Sequence, residues 1–274
     1  MNPDGKAVSR LFAFLLTAVL LASGSAVQEK ATVEITYLAN EGVMISSAGK
    51  KVLIDALLRE GLEEYQRVPS DQLEKIETGR APFDKVSVAL VSHFHRDHFD
   101  ARSVARFLEN NPQSVVASST EVVEAVRKEQ SEKTRQRIRE VMPDWKQRVQ
   151  QNFDGIEVTF LRIRHTHQRN YGVHNLGHII RMGGKKFLHI GDAEVLAENF
   201  AGLSLQQEGI EVALLPFWFL ISDAGRAVVN DHIKPRHIVA LHIPPQGAEN
   251  WARQIKASYA EAMICTEPMQ KKSF

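Results

Sequence analysis

One cysteine, Cys265, is all that a chain of 274 residues contains. That excludes an internal disulfide framework, and it excludes thiolate-rich zinc modules, since both need several sulfurs. Charge of one sign is missing as well: 34 Lys and Arg face 33 Asp and Glu, for a formal net charge of +1. No strong field or charged tail points to nucleic acid or to an anionic membrane surface. The apolar stretch over residues 11–22 falls short of the roughly 20 residues that span a bilayer. Repeats of short period and low-complexity segments are absent. The remaining composition, 43% hydrophobic and 24% charged, suits one large domain or two fused halves. Against the lone cysteine stand eleven histidines, so any metal is to be held by imidazole and carboxylate.

The first residues read as a targeting segment. Lys6 and Arg10 precede the apolar stretch, and Ser23-Gly24-Ser25-Ala26 follows it. A positive start, a short apolar core and small residues at the end are the three parts of a secretory signal. The expectation is a signal peptide over 1–26, cleaved near Ala26, and a periplasmic or secreted domain over 27–274 with no stable membrane anchor. An uncleaved anchor is the alternative. No cysteine follows the apolar core, so a lipid-linked form has no attachment point.

Along the mature chain two β-rich halves flank a helical middle. Alternating or continuous apolar residues predict strands over 32–38, 43–47, 51–55 and 86–92, then over 156–163, 176–182, 186–190, 212–215 and 237–241. Polar and periodic stretches predict helices over 70–77, 101–110, 120–128 and 132–150, with 119–152 as a helical insertion between the halves. A helix over 248–262 is expected to close the chain. Strands with inserted helices and polar groups at strand ends indicate a layered α/β protein with its site along one strand edge.

The central segment is Ala89-Leu-Val-Ser-His93-Phe-His95-Arg-Asp97-His98-Phe99-Asp100. A hydrophobic strand runs into a loop that carries three imidazoles and two carboxylates. His93 and His95 alternate with Phe94, so both can point to one side of an extended loop. Asp97 and His98 are adjacent, diverge, and suit a second ion. Such a donor set fits zinc or a similar divalent metal.

The order His-x-His-x-Asp-His after an apolar strand resembles the signature loop of the metallo-β-lactamase superfamily. Three further motifs match in order: Lys51-Val-Leu-Ile-Asp55, Leu188-His-Ile-Gly191-Asp192 and Ile238-Val-Ala-Leu-His242. The resemblance covers most of the mature chain. It implies a four-layer αββα sandwich, with two divalent ions at one edge of the sheets. Zinc is the first choice, and iron or manganese accept the same donors. His93 and His95 would belong to the first ion, Asp97, His98 and His242 to the second, and Asp192 to both. His165 is the choice for the remaining histidine of the first ion, with His167 and His174 as rivals. Asp55 would orient a ligand imidazole. His178, His189, His232 and His237 read as structural or surface residues. Phe217-Trp218-Phe219 is a candidate apolar wall, and Arg162, Arg164 and Arg169 lie near the expected site.

The function implied is hydrolysis. A water shared by two divalent ions is acidified and attacks an ester, lactone, phosphodiester or related bond of a small-molecule substrate. Asp97 is the catalytic candidate, taking up or relaying a proton. Asp192 follows Gly191 where some β-lactamases carry a ligand cysteine, which departs from that branch. Lys51–Asp55, Asn175-Leu-Gly177 and His242-Ile-Pro-Pro are more similar to lactonase and phospholipase-like members. A β-lactam-cleaving enzyme and a non-catalytic metal- or ligand-binding protein of the same fold are the alternatives. Nucleic acid is not an expected partner.

Overall fold

A computed structural model describes residues 31–274, so the expected signal segment lies outside the described residues. Among these, no helix is long and apolar enough to cross a membrane. Two sheets of seven strands each stack face to face. The first runs Lys271–Ser273, Glu34–Ala39, Gly42–Ser47, Lys50–Ile54, Val86–Leu90, Val115–Ser118 and Ile138–Glu140 in spatial order. The second runs Met263–Ile264, His237–Leu241, Val212–Pro216, Lys185–His189, Leu176–Met182, Ile156–Arg162 and Arg148–Phe153.

Period-two alternation sorts the apolar side chains into three cores. Val52, Ile54, Val88 and Leu90 of the first sheet meet Val158, Phe160, Val212, Leu214, Val239 and Leu241 of the second in a shared centre. Leu53 and Ala89 face the other way, onto the helices Ser70–Thr78, Ala101–Asn110 and Thr120–Glu129. On the opposite outer face Ala213, Leu215, Ile238 and Ala240 pack against Phe219, Leu220, Val228 and Ile255 of the later helices. The result is the expected αββα sandwich. Strands buried on both faces explain the nearly continuous apolar runs.

Two expected elements differ. Residues 132–150 are not a helix, and 119–152 is not a helical insertion. After the helix Thr120–Glu129 the chain makes the 3₁₀ turn Glu132–Arg137, the short strand Ile138–Glu140 and, past an irregular link, the strand Arg148–Phe153. These two strands are the outer edges of the two sheets, so the segment bridges the layers. Most of the charge that suggested a solvent-facing helix lies in the 3₁₀ turn and the link, and the polar residues of the two strands face water at the sheet edges. Pro143 lacks the N–H that a helix interior needs, and Lys146 has φ of 60°. The closing helix is also shorter, Ala248–Ser258, and two more strands follow. The last, Lys271–Ser273, pairs antiparallel with Glu34–Ala39.

Candidate metal centre

Five strands end at one edge of the sandwich, and each hands a polar side chain to it. Lys50–Ile54 leads to Asp55, Val86–Leu90 to Ser92 and His93, Ile156–Arg162 to His165, Lys185–His189 to Asp192, and His237–Leu241 to His242. The loop after His93 closes as one helical turn, with the N–H groups of His98 and Phe99 both reaching the His95 carbonyl at 3.0 Å. Asp100 then caps the next helix, accepting from the Ser103 N–H at 2.8 Å. This fixes both ends of the loop.

Two donor groups result. His93, His95, His165 and Asp192 form one, and Asp97, His98 and His242 form the other; within each, the donor atoms lie within 4.8 Å of one another. Asp192 stands between them. Its Oδ2 is 3.6 Å from His165 Nε2 and 4.0 Å from His93 Nε2, while Oδ1 is 3.3 Å from the Nε2 atoms of both His98 and His242. Asp97 Oδ2 approaches the same two imidazoles at 3.5 and 3.4 Å.

The far sides of the rings are held. His98 Nδ1–H donates to Asp55 at 2.9 Å, which leaves Nε2 for the centre. His93 Nδ1–H donates to Ser92 Oγ at 3.0 Å, and the Ser92 hydroxyl donates to Asp55 at 2.5 Å. His165 Nδ1–H donates to the Thr166 carbonyl at 2.8 Å. Asp55 also accepts from the Ser92 N–H at 2.7 Å, so one carboxylate braces a histidine from each group.

The donors fit a pair of divalent cations. His93 Nε2 faces His95 Nδ1 at 3.1 Å and His165 Nε2 at 3.2 Å, and His98 Nε2 faces His242 Nε2 at 3.3 Å. One proton bridges one such pair at most, so three nitrogens converging on a point suit a cation. Asp192 Oδ1 makes no well-directed hydrogen bond among the described residues and faces the Nε2 atoms of His98 and His242 at 3.3 Å, a set of donors that a shared cation would satisfy.

Protonation separates the two groups. Burial favours neutral imidazole and holds His93, His95 and His165 below the ordinary histidine range. Burial acts the same way on His98 and His242, but Asp192 and Asp97 override it: His98 is held well above its usual value and His242 is pushed up to about 10. In return, and against burial, His242 and His98 keep Asp192 well below the carboxylate range. At neutral pH the first group is bare and the second holds protons where a cation would sit. The first equivalent of zinc is therefore expected to bind with little proton release, and the second to expel protons. The apparent affinity for the second is expected to rise with pH as long as His242 and His98 still hold protons there. Calorimetry in buffers of different ionisation enthalpy counts those protons, and equal counts for both ions would overturn the assignment. Without metal the sign is opposite. Charged His242 contributes stability that is whole below about pH 6.5, and that contribution is lost as pH rises through about 10.

Of the three rival histidines, His165 joins the first group. His167, at φ 63°, lines the cleft above it, and His174 turns away to Glu121 at 3.7 Å. The cleft over the centre has a volume of about 690 Å³. Phe217 and Trp218 form part of its wall, with the Trp218 ring 5.1 Å from His242, whereas Phe219 is buried in the core. Arg169 lines the cleft; Arg164 is stacked between Trp145 and Tyr171, and Arg162 donates to the Met142 sulfur. His237 is exposed, His232 is half-buried away from the centre, and His178 is buried. His189 is more than filler: its Nε2 lies 3.1 Å from Glu41 Oε2, both groups fully enclosed.

Sequence reasoning missed Asn40, Glu41, Tyr65 and Ser92. Asn40-Glu41 left only a faint signal, two adjacent polar residues at the tip of a hairpin, with nothing in the hairpin to name their partners. Tyr65 left none, because it lies in an irregular polar stretch. Its ring packs edge-on to His242 with centroids 4.3 Å apart. Burial, then the charges of Asp192 and Asp97, push its hydroxyl up to about 12, so at neutral pH it remains a donor.

Residues 50–264 match the family described as the beta-lactamase superfamily domain. A metal-dependent hydrolase from Symbiobacterium thermophilum is 25% identical over 105 residues, 35% of this chain and 47% of the relative, so the match spans about half of that protein. Among solved structures, a metallo hydrolase from the archaeon Ignicoccus hospitalis has a TM-score of 0.58 at 18% identity, over 89% of this chain and 98% of its own. An isothiocyanate hydrolase from Delia radicum gut bacteria has a TM-score of 0.59 at 17% identity, over 88% and 99%. At such identities the structures speak for the fold, and the family match covers most of the sequence, including every residue of the two donor groups: the chain belongs to the metallo-β-lactamase superfamily.

Proposed function

We propose that this protein is a metal-dependent hydrolase that uses two divalent ions, zinc by preference, to cleave an ester, lactone, phosphodiester or related bond in a small molecule. The observation that carries this reading is Asp192, whose two oxygens face two separate groups of donors on the floor of one open cleft. His93, His95, His165 and Asp192 would hold the first ion, and Asp97, His98, His242 and Asp192 the second. When bound, such a pair lowers the pKa of a water and polarises the bond under attack.

The chain's own residues do the rest. Asp55 and Ser92 keep His93 and His98 turned with Nε2 inward. Asp97, at the cleft floor and 5% exposed, is placed to take a proton from the attacking water and return it to the leaving group. Tyr65 keeps its proton and is a donor toward a developing oxyanion. Phe217, Trp218 and Leu62 offer apolar contact to a substrate body, and Arg169 favours an anionic or carbonyl-rich one. Lys6, Arg10 and the apolar stretch after them support export, so we place the activity in the periplasm or outside the cell.

The test is metal analysis of the mature protein, followed by a panel of esters, lactones, phosphodiesters and β-lactams. Two zinc ions per chain and turnover of one class, abolished by a chelator and restored by zinc, is the expected result. Two ions without turnover of any class would favour a non-catalytic binding protein, and failure to take up metal would remove the proposal.

A further inference from the structure

Asn40-Glu41-Gly42 turns the chain between the strands Glu34–Ala39 and Gly42–Ser47, at the same edge as the metal centre. Asparagine at a left-handed position is ordinary in a two-residue hairpin turn, but its burial and its partners are not. Asn40 has φ of 48° and is 1% exposed. Its side-chain Nδ2 donates to the Asp97 carbonyl at 3.0 Å and to Asp97 Oδ2 at 3.3 Å. Two acceptors on one side fix which end of the amide points there, since its oxygen would repel both. The Asn40 carbonyl accepts from the N–H of His242 at 3.1 Å, and His242 is itself left-handed at φ 57°. One residue therefore grips a donor from each half of the chain, and both belong to the second donor group.

The neighbours keep the turn in place. Glu41 reaches inward to His189 and lies 4.0 Å from His98 Nδ1. Gly42 has no room for a side chain: a Cβ there would sit 2.8 Å from the Ala39 carbonyl oxygen and 2.9 Å from that of Asp55. Among the described residues, Asn40 makes no hydrogen bond to the first donor group. His93 and His165 are held by Ser92 and the Thr166 carbonyl instead.

We infer that Asn40 is the positioning residue of the second metal, setting Asp97 and His242 at the spacing that ion needs and so determining its affinity separately from the first. This rests on reading the two donor groups as a dinuclear centre. The alternative is that asparagine is present only because it tolerates a left-handed backbone. Asn40→Gly separates the two, for glycine adopts that backbone freely and keeps the carbonyl that His242 uses, while removing the amide. Asn40→Asp keeps the shape and sets a carboxylate against Asp97.

The experiment is a zinc titration of metal-free wild type and both variants against a chromophoric chelator, with cobalt(II) absorption spectra as a reading of each site and thermal unfolding as a check of the fold. The first ion's affinity is expected to be unchanged in Asn40→Gly, and the second's to fall about 10- to 100-fold. The drop should be larger in Asn40→Asp, with the cobalt bands of the second site altered in both. Wild-type affinity for both ions in Asn40→Gly, or equal weakening of both, would overturn the inference. If that variant fails to fold, Asn40→Asp decides by the same comparison. Failure of wild type to bind a second ion at all would instead overturn the dinuclear reading beneath it.

Discussion

Replacing Asp97 with Asn is expected to lower kcat by about 10²- to 10⁴-fold, the range that a positioned proton carrier supplies. The substitution is nearly isosteric and leaves an oxygen to face His242, His98 or the Asn40 amide. What is lost is the charge that accepts a proton. Asp97 is held below the carboxylate range although burial opposes it, because His98 and then His242, at 3.5 and 3.4 Å, favour its ionised form. The measurement is kcat beside metal content. Two zinc ions per chain with turnover lowered to this extent supports the proton role. Full metal content with unchanged kcat removes it, and loss of one ion would show that Asp97 acts chiefly as a ligand.

How far the sequence reached depended on the range of the interaction that decides each feature. The loop from His93 to His98 is local, and its residue types alone announced metal chemistry. Asp192 and His242 were legible because each follows an apolar strand, and strand ends in such a fold converge on one edge. His165 was harder. His165 and His167 share a parity along an extended chain, and only the backbone turn at His167, with φ of 63°, directs the second ring to the cleft instead of the centre. The edge strands Ile138–Glu140 and Arg148–Phe153 were misread because their pattern is polar on exposed faces, and strand pairing depends on partners far away in sequence. Asn40 and Glu41 lay furthest out of reach. Their partners, Asp97, His242 and His189, come from three other elements, and nothing within the hairpin itself names them.

Asp55 carries the largest expected effect on stability. It is fully buried and accepts three hydrogen bonds, from the Ser92 N–H, the Ser92 hydroxyl and His98 Nδ1–H. Burial opposes its charge, but His98 and His189 more than offset that, and the carboxyl lies below its usual range. Asp55→Ala removes the acceptor and leaves a backbone N–H, a hydroxyl and a cation-prone imidazole enclosed without it. Breaking a buried pair in this way costs about 3–5 kcal/mol. Alanine also tolerates the native φ of 45° less well than aspartate, whose short polar side chain favours that region. Asp55→Asn retains one acceptor oxygen and the backbone preference, so a smaller loss of about 1–3 kcal/mol is expected. Chemical denaturation of the metal-free proteins measures both. The two variants should also differ from wild type in a way that stability alone does not explain. With the carboxylate gone, His98 Nδ1–H has at best a neutral amide oxygen shared with Ser92, the ring is less firmly oriented, and affinity for the second ion should fall about 10- to 100-fold even in the better-folded Asn variant. Equal second-ion affinity in Asp55→Asn and wild type would mean that the ring of His98 is oriented by packing against His93 and His242, and that Asp55 serves the fold alone.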